Sequence, residues 1–225
     1  MKKFMMVAMA LIVACSASFA DNSEFKQQLK ERKELRKADK KELNEKATKA
    51  ARKEAKKLAK AGWKVAAGSL PLEKQLDRSY LYQMEFDENL FPKYIMADAQ
   101  SIGQNYDAAK VSATSLAITN LAGQIQTEVT ALVENTVANK QLEANEAASI
   151  VETVMASKNL ISQSIGRTIP MVECYRELKN GNKEVLVRLA YNGEMAKAAV
   201  RNAVKDELAK KGEKLQGQLD QALGF

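Results

Sequence analysis

YRELKNGNKEVLVRLAYN, residues 175–192, decides the fold. Asn180-Gly181 at its centre is a strong short-range signal for a β-hairpin, because both residues tolerate the left-handed backbone that tight turns need. Beyond the turn, Val185, Val187, Leu189 and Tyr191 fall on one side of an extended chain over 184–191. Before it, residues 169–178 put Val172 and Cys174 on one side and Glu173 and Tyr175 on the other. Asn192-Gly193 closes the second strand. A final helix then runs from 194 to about 223, with Met195, Ala198 or Ala199, Asn202 and Leu208 facing inward, and Gly212 and Gly217 weakening its end.

Upstream, helical spacing dominates. Val111, Ser115, Ile118, Ala122, Ile125, Val129, Leu132 and Thr136 alternate steps of four and three, with Ala109, Ala113, Leu116 or Ala117, and Leu121 beside them. After a polar turn at Asn139-Lys140, the stepping resumes through Ala147, Ile150, Val154, Ser157 and Ile161 until Gly166. Two such helices joined by a short break predict a helical hairpin. Residues 94–103, YIMADAQSIG, read as a strand, and Trp63 to Ala67 as a short, weakly alternating one. Between them, Pro71 opens a helix reaching about Asn89. The expected fold is therefore α+β. A small antiparallel sheet of three to four strands carries long helices, including the hairpin, on one face, and a long charged N-terminal helix precedes it.

That charged helix covers residues 21–60, which hold 15 Lys/Arg against 8 Asp/Glu and no Gly or Pro. Residues 61–225 are close to neutral, so the basic balance of the whole chain, +7, belongs to one segment. Phe25, Leu29, Leu35, Leu43 and Leu58 do not hold a heptad, which suits a solvated stalk or coiled-coil-like spacer better than a self-sufficient coiled coil. A second reading is a basic contact for an anionic membrane or cell-wall surface, through Lys26, Lys30, Arg32, Lys33, Arg36, Lys37, Lys40 and Lys41.

Residues 1–20 have the order of an export signal. Lys2 and Lys3 precede an uncharged apolar run of 11 residues, 4–14, well short of the ~20 that span a bilayer. Ser18 and Ala20 supply the small residues of a cleavage site between Ala20 and Asp21. Ile12-Val13-Ala14-Cys15 offers a competing cut, after which a lipidated Cys15 would anchor the chain to a membrane leaflet. The expected divisions are a signal over 1–20, the basic helix over 21–61 and the α+β domain over 62–225. The expected location is the periplasm or outer envelope of a bacterium.

Composition removes several chemistries. The chain has no histidine, so Ser-His-Asp and Cys-His nucleophile systems and histidine zinc sites are absent. Two cysteines cannot make a four-cysteine site, and Cys174 reads as a small buried residue. Aromatic residues are only 6%, and no GxxxxGK or GxGxxG run occurs. Glu85, Asp87 and Glu88 form an acidic cluster that lacks the ligand spacing and glycine of a calcium loop. Asp98 and Asp107 flank a strand end. Trp63 and Tyr80 read as core rather than as an aromatic binding face. No catalytic, cofactor or metal residue is assigned.

The strand YIMADAQSIG, the alanine-spaced helix AAKVSATSLAITNLAGQIQTEV, the YREL strand, its turn and the strand EVLVRLAYN resemble the LPP-twenty-type lipoproteins of bacterial outer membranes, over residues 94–201. The resemblance implies a small α+β envelope domain, often lipid-anchored, without established catalytic activity or transferable catalytic residues. The basic helix and the Trp63 segment lie outside that pattern. The expectation is a non-enzymatic exported envelope protein, a structural or interaction module. One alternative is the binder of anionic surfaces. Another is an envelope-polymer hydrolase, whose two carboxylates would have to meet in one cleft, roughly 5–9 Å apart for glycosides. Expected partners are a membrane surface or an envelope protein, without nucleic acid in the cell; a homo-oligomer is left open.

Overall fold

The computed structural model describes residues 46–88, 91–138 and 142–225. The signal with Cys15, Ala20 and Asp21, the cationic residues from Lys26 to Lys41, and the turn at Asn139-Lys140 lie outside them. In chain order the described elements are α1 (Lys49–Lys60), α2 (Leu72–Gln83), β1 (Tyr94–Gly103), α3 (Tyr106–Ala138), α4 (Ala144–Ala156), α5 (Lys158–Ser164), β2 (Ile169–Glu177), β3 (Lys183–Asn192), α6 (Gly193–Lys211) and α7 (Glu213–Leu223). The three strands form one antiparallel sheet in the order β1-β3-β2, an α+β arrangement. Residues Ala47–Phe225 form one unit, separate from Met1–Lys46.

The hairpin follows its sequence closely. The Gly181 N–H donates to the Leu178 carbonyl at 2.9 Å and the Leu178 N–H to the Asn182 carbonyl at 2.8 Å. Gly181 takes the positive φ of 83° that the tight return requires. Val185, Val187, Leu189 and Tyr191 all enter the main core, with Ile95 and Ala97 of β1 beside them. Burying each large apolar side chain contributes on the order of 1.5–3 kcal/mol.

Helices cover both faces of the sheet, not one. Alternation makes Val172, Leu186 and Ala190 point away from the main core. There they meet Ala47, Ala51 and Leu76 from the α1–α2 layer, with Met171 from a bulge in β2. From sequence α1 reads as part of a solvated stalk, yet Ala51, Ala55 and Leu58 line one side of it and pack with Leu72 and Leu76 of α2. The expected strand at Trp63 is a single bridge, Lys64 to Tyr175. The helix expected to reach Asn89 stops at Gln83.

α3 is the spine of the main core. Ala109, Ala113, Ala117, Leu121, Ile125, Val129 and Val133 are all fully buried at steps of four. Val111, expected inward, is 70% exposed. A Cβ on Gly103 would stand 2.6 Å from the Ala109 backbone nitrogen, so β1 and the start of α3 are pressed together at Ala109, which is buried, and Val111, about 200° further round the helix, faces out.

The two later helices are each interrupted. At Ser157 the side-chain hydroxyl donates to the Thr153 carbonyl at 2.8 Å and α4 ends. Buried Gln126 of α3 donates to the Val154 and Met155 carbonyls at 2.6 and 2.9 Å, adding a side-chain donor at the break, where Val154 also accepts the Ser157 N–H at 3.1 Å. Gly212 separates α6 from α7, and Arg201 clasps Asp220 at 2.7 and 2.9 Å across the joint. Asn192 caps α6 by accepting the Met195 N–H at 3.0 Å. The inward face of α6 matches expectation at Ala199 and Leu208 and departs from it elsewhere. Ala196, Lys197, Ala199, Val200, Val204 and Leu208 are buried, whereas Met195 and Asn202 are exposed. Lys197 is tolerated inside because its ammonium meets Glu194 at 2.8 Å and Asp87 at 3.6 Å, above the Phe91 ring.

Candidate functional site

Most residues that could carry chemistry are occupied by structure. Glu85 pairs with Lys93 at 3.8 Å. Asp87 accepts the Phe91 N–H at 2.8 Å and faces Lys197, while Glu88 is exposed. Among the described residues no group of three or more His, Cys, Asp or Glu side chains could hold a metal ion. Asp98 shares the α2 side of β1 with Met96, whereas Asp107 begins α3 on the opposite side. These carboxylates do not form the pair that a hydrolase would need.

The aromatic pair is also divided. Trp63 is buried under the Arg176 guanidinium, 4.8 Å from its ring centre. Tyr80 packs between α1 and α2 and donates its hydroxyl to Glu54. Burial first, then the Glu54 hydrogen bond and charge, push the Tyr80 hydroxyl up to about 12. Tyr106, likewise, donates to Glu173, which also holds Lys110 at 2.9 Å; burial and that carboxylate raise the Tyr106 hydroxyl.

Cys174 is fully buried and free, and burial pushes its thiol up to about 12 from an ordinary 9.0, with Glu173 adding to the shift. Below the ordinary value the thiol is protonated in both states and contributes no pH dependence. As pH rises from there towards the folded value, the unfolded chain ionises first and folding stability falls. Urea titrations across this alkaline window are expected to show a shallower decline in Cys174→Ala than in the parent. At neutral pH a thiol reagent should modify Cys174 only as fast as the domain opens.

The feature that stands apart is α1. Its 12 residues, KAARKEAKKLAK, carry Lys49, Arg52, Lys53, Lys56, Lys57 and Lys60 against Glu54 alone, a net of +5. On a helical wheel Lys49, Lys53, Lys56 and Lys60 form one stripe, opposite Ala51 and Leu58 on the side that packs on the sheet. All four are exposed, and among the described residues none of them, nor Lys57, joins an ion pair. A groove of about 850 Å³ runs along one flank, lined by Leu58 and Tyr80, by Lys53, Lys57 and Lys60, and by Glu54. The eight cationic residues selected from sequence, Lys26 to Lys41, are interleaved with acids and lie outside the described residues. Most of the excess charge sits after them, and counting in one-helix windows would have found it.

α1 is fixed in place at its start. The Thr48 hydroxyl accepts the Ala51 N–H at 3.3 Å, and the Thr48 N–H donates to Asp77 at 3.0 Å. Thr48→Ala is expected to cost about 1 kcal/mol in urea unfolding. Among the described residues no helix is long and apolar enough to cross a membrane. No family model, curated protein or solved structure matches the chain.

Proposed function

We propose that the chain is an exported, non-enzymatic cell-envelope protein whose α+β body rests on an anionic surface through α1. The observation that carries this reading is the lysine stripe of α1, which has no ion pair among the described residues. Like charges at i,i+4, as in Lys49/Lys53 and Lys56/Lys60, destabilise a helix by a few tenths of a kcal/mol each. An anionic surface would relieve that repulsion and release counterions. Leu58, Tyr80 and the lysines that line the groove suit acidic headgroups at the rim of a bilayer, while Glu54 is engaged by the Tyr80 hydroxyl. The resemblance to LPP-twenty-type lipoproteins and the order of residues 1–20 support the envelope setting.

Co-sedimentation with phosphatidylglycerol vesicles tests the contact. Binding should be strong at low ionic strength, fall steeply with salt and be absent on neutral phosphatidylcholine vesicles; equal binding to both would sink it. Mass spectrometry of the N-terminus from envelope fractions tests the setting. An acylated Cys15 or a start at Asp21 supports export, and a cytoplasmic chain retaining Met1 overturns it.

A further inference from the structure

The two edges of the sheet are treated differently. At β2 the outward backbone is closed by the chain itself: Lys64 and Tyr175 exchange N–H···O bonds of 2.8 Å, and Gln75 accepts the Glu173 N–H at 2.7 Å. Since Glu173 and Tyr175 turn outward, Val172, Cys174 and Arg176 bond to β3 opposite Arg188, Leu186 and Glu184. β3 therefore offers Val185, Val187 and Leu189 to β1, where they meet Ser101, Ala99 and Ala97. The backbone groups of Met96, Asp98, Gln100 and Ile102 consequently point away from the sheet. Only the Asp98 carbonyl among them has a partner among the described residues, the Asn120 amide at 3.0 Å.

This edge lacks the devices that normally discourage pairing. β1 has no proline, no lysine or arginine, and no bulge; its register with β3 is unbroken from Tyr94 to Gly103. Asp98 is its one charge. Asp98, Gln100 and Ile102 are exposed, with Ile102 at 55%.

We infer that β1 is the contact for a second copy of the chain, pairing antiparallel with its own image about a twofold axis at Gln100 to give one six-stranded sheet. Position along α3 argues for a copy rather than a foreign strand. α3 meets β1 at two points, Gly103 against Ala109 and Asp98 against Asn120. Between them the strand advances five residues at ~3.3 Å and the helix eleven at ~1.5 Å, about 16.5 Å in both cases. The two therefore run level, and Leu116, one turn before Asn120, stands beside Gln100. Leu116 is 48% exposed on the side of α3 that reaches the edge. A twofold through Gln100 would bring Leu116 against its own image, place Gln100 opposite Gln100, and set each Asp98 opposite Ile102, with no like charges facing.

Sedimentation equilibrium of the purified full chain should show a reversible monomer–dimer equilibrium between ~10 μM and ~1 mM. Over that range the amides of Asp98, Gln100 and Ile102 should exchange at least roughly tenfold more slowly, while those of Ala97 and Ala99, already bonded to β3, should not change. Gln100→Pro removes an outward N–H that folding does not use, and Leu116→Glu alters an exposed side chain. Each should give a monomer with an unchanged circular dichroism spectrum. A chain monomeric throughout, a dimer unaffected by Leu116→Glu, or edge amides slowed only by an unrelated peptide would each overturn the inference.

Discussion

Reversing Lys49, Lys53, Lys56 and Lys60 together to glutamate is expected to weaken binding to phosphatidylglycerol vesicles by roughly a thousandfold. Each basic residue near an acidic bilayer contributes about 1 kcal/mol, so four lost cations remove ~4 kcal/mol, before any repulsion from the new carboxylates. The fold should survive, because all four side chains are exposed and none has an ion-pair partner among the described residues. The losses at the helix C-terminus, where lysine favours the dipole, are offset by relief of like-charge pairs such as Lys53/Lys57. Vesicle titration at low salt, beside thermal unfolding of both proteins, measures the two effects separately. A loss of binding under about tenfold would remove α1 as the contact.

The second large effect concerns stability. Gly193→Ala should destabilise the domain by about 3 kcal/mol, the upper end for overpacking. The added Cβ would stand 2.3 Å from the Pro92 carbonyl oxygen and 3.1 Å from the Phe91 ring. Neither neighbour can withdraw easily. Pro92 lies in the segment that Gly193 itself holds, through a 2.8 Å hydrogen bond to Lys93, and Phe91 is buried under Lys197. Gly217→Ala makes the matched comparison. It lies within α7 with nothing within 4 Å of a new Cβ, so removing backbone freedom should stabilise by up to about 1 kcal/mol. Urea unfolding of the two variants should therefore move in opposite directions.

Legibility followed the physics of each element. The β2–β3 hairpin was readable because one face of β3 is wholly apolar and Asn180-Gly181 permits a single return. α3 and α6 were recognisable as helices, and much of each inward face was legible: Ala109, Ala113, Leu121, Ala122, Ile125 and Val129 of α3, and Ala199 and Leu208 of α6, are buried as expected. At α3 the expected apolar face is too wide, since it includes Val111, which is 70% exposed, beside the buried Ala109 file. At α6 the buried stripe contains Lys197, whose partners Asp87 and Glu194 come from the fold and not from spacing. The layer over the second sheet face was hidden because α1 reads as part of a solvated charged stalk, although Ala51, Ala55 and Leu58 line one side of it. The lysine stripe was present in the sequence but diluted by averaging over forty residues that are mostly charge-balanced before Lys49.

The order β1-β3-β2 has a temporal corollary. β3 can find β2 across a five-residue loop, but β1 must wait for partners between 80 residues away, at Gly103–Lys183, and 98 away, at Tyr94–Asn192. Closing so long a loop is slow, and forming α3 to α5 in between shortens the effective search. A chain emerging N-terminus first therefore cannot complete its sheet until residue 192 is free. Until then β1 has no strand partner on either edge, so its pairing is the last part of the sheet to form.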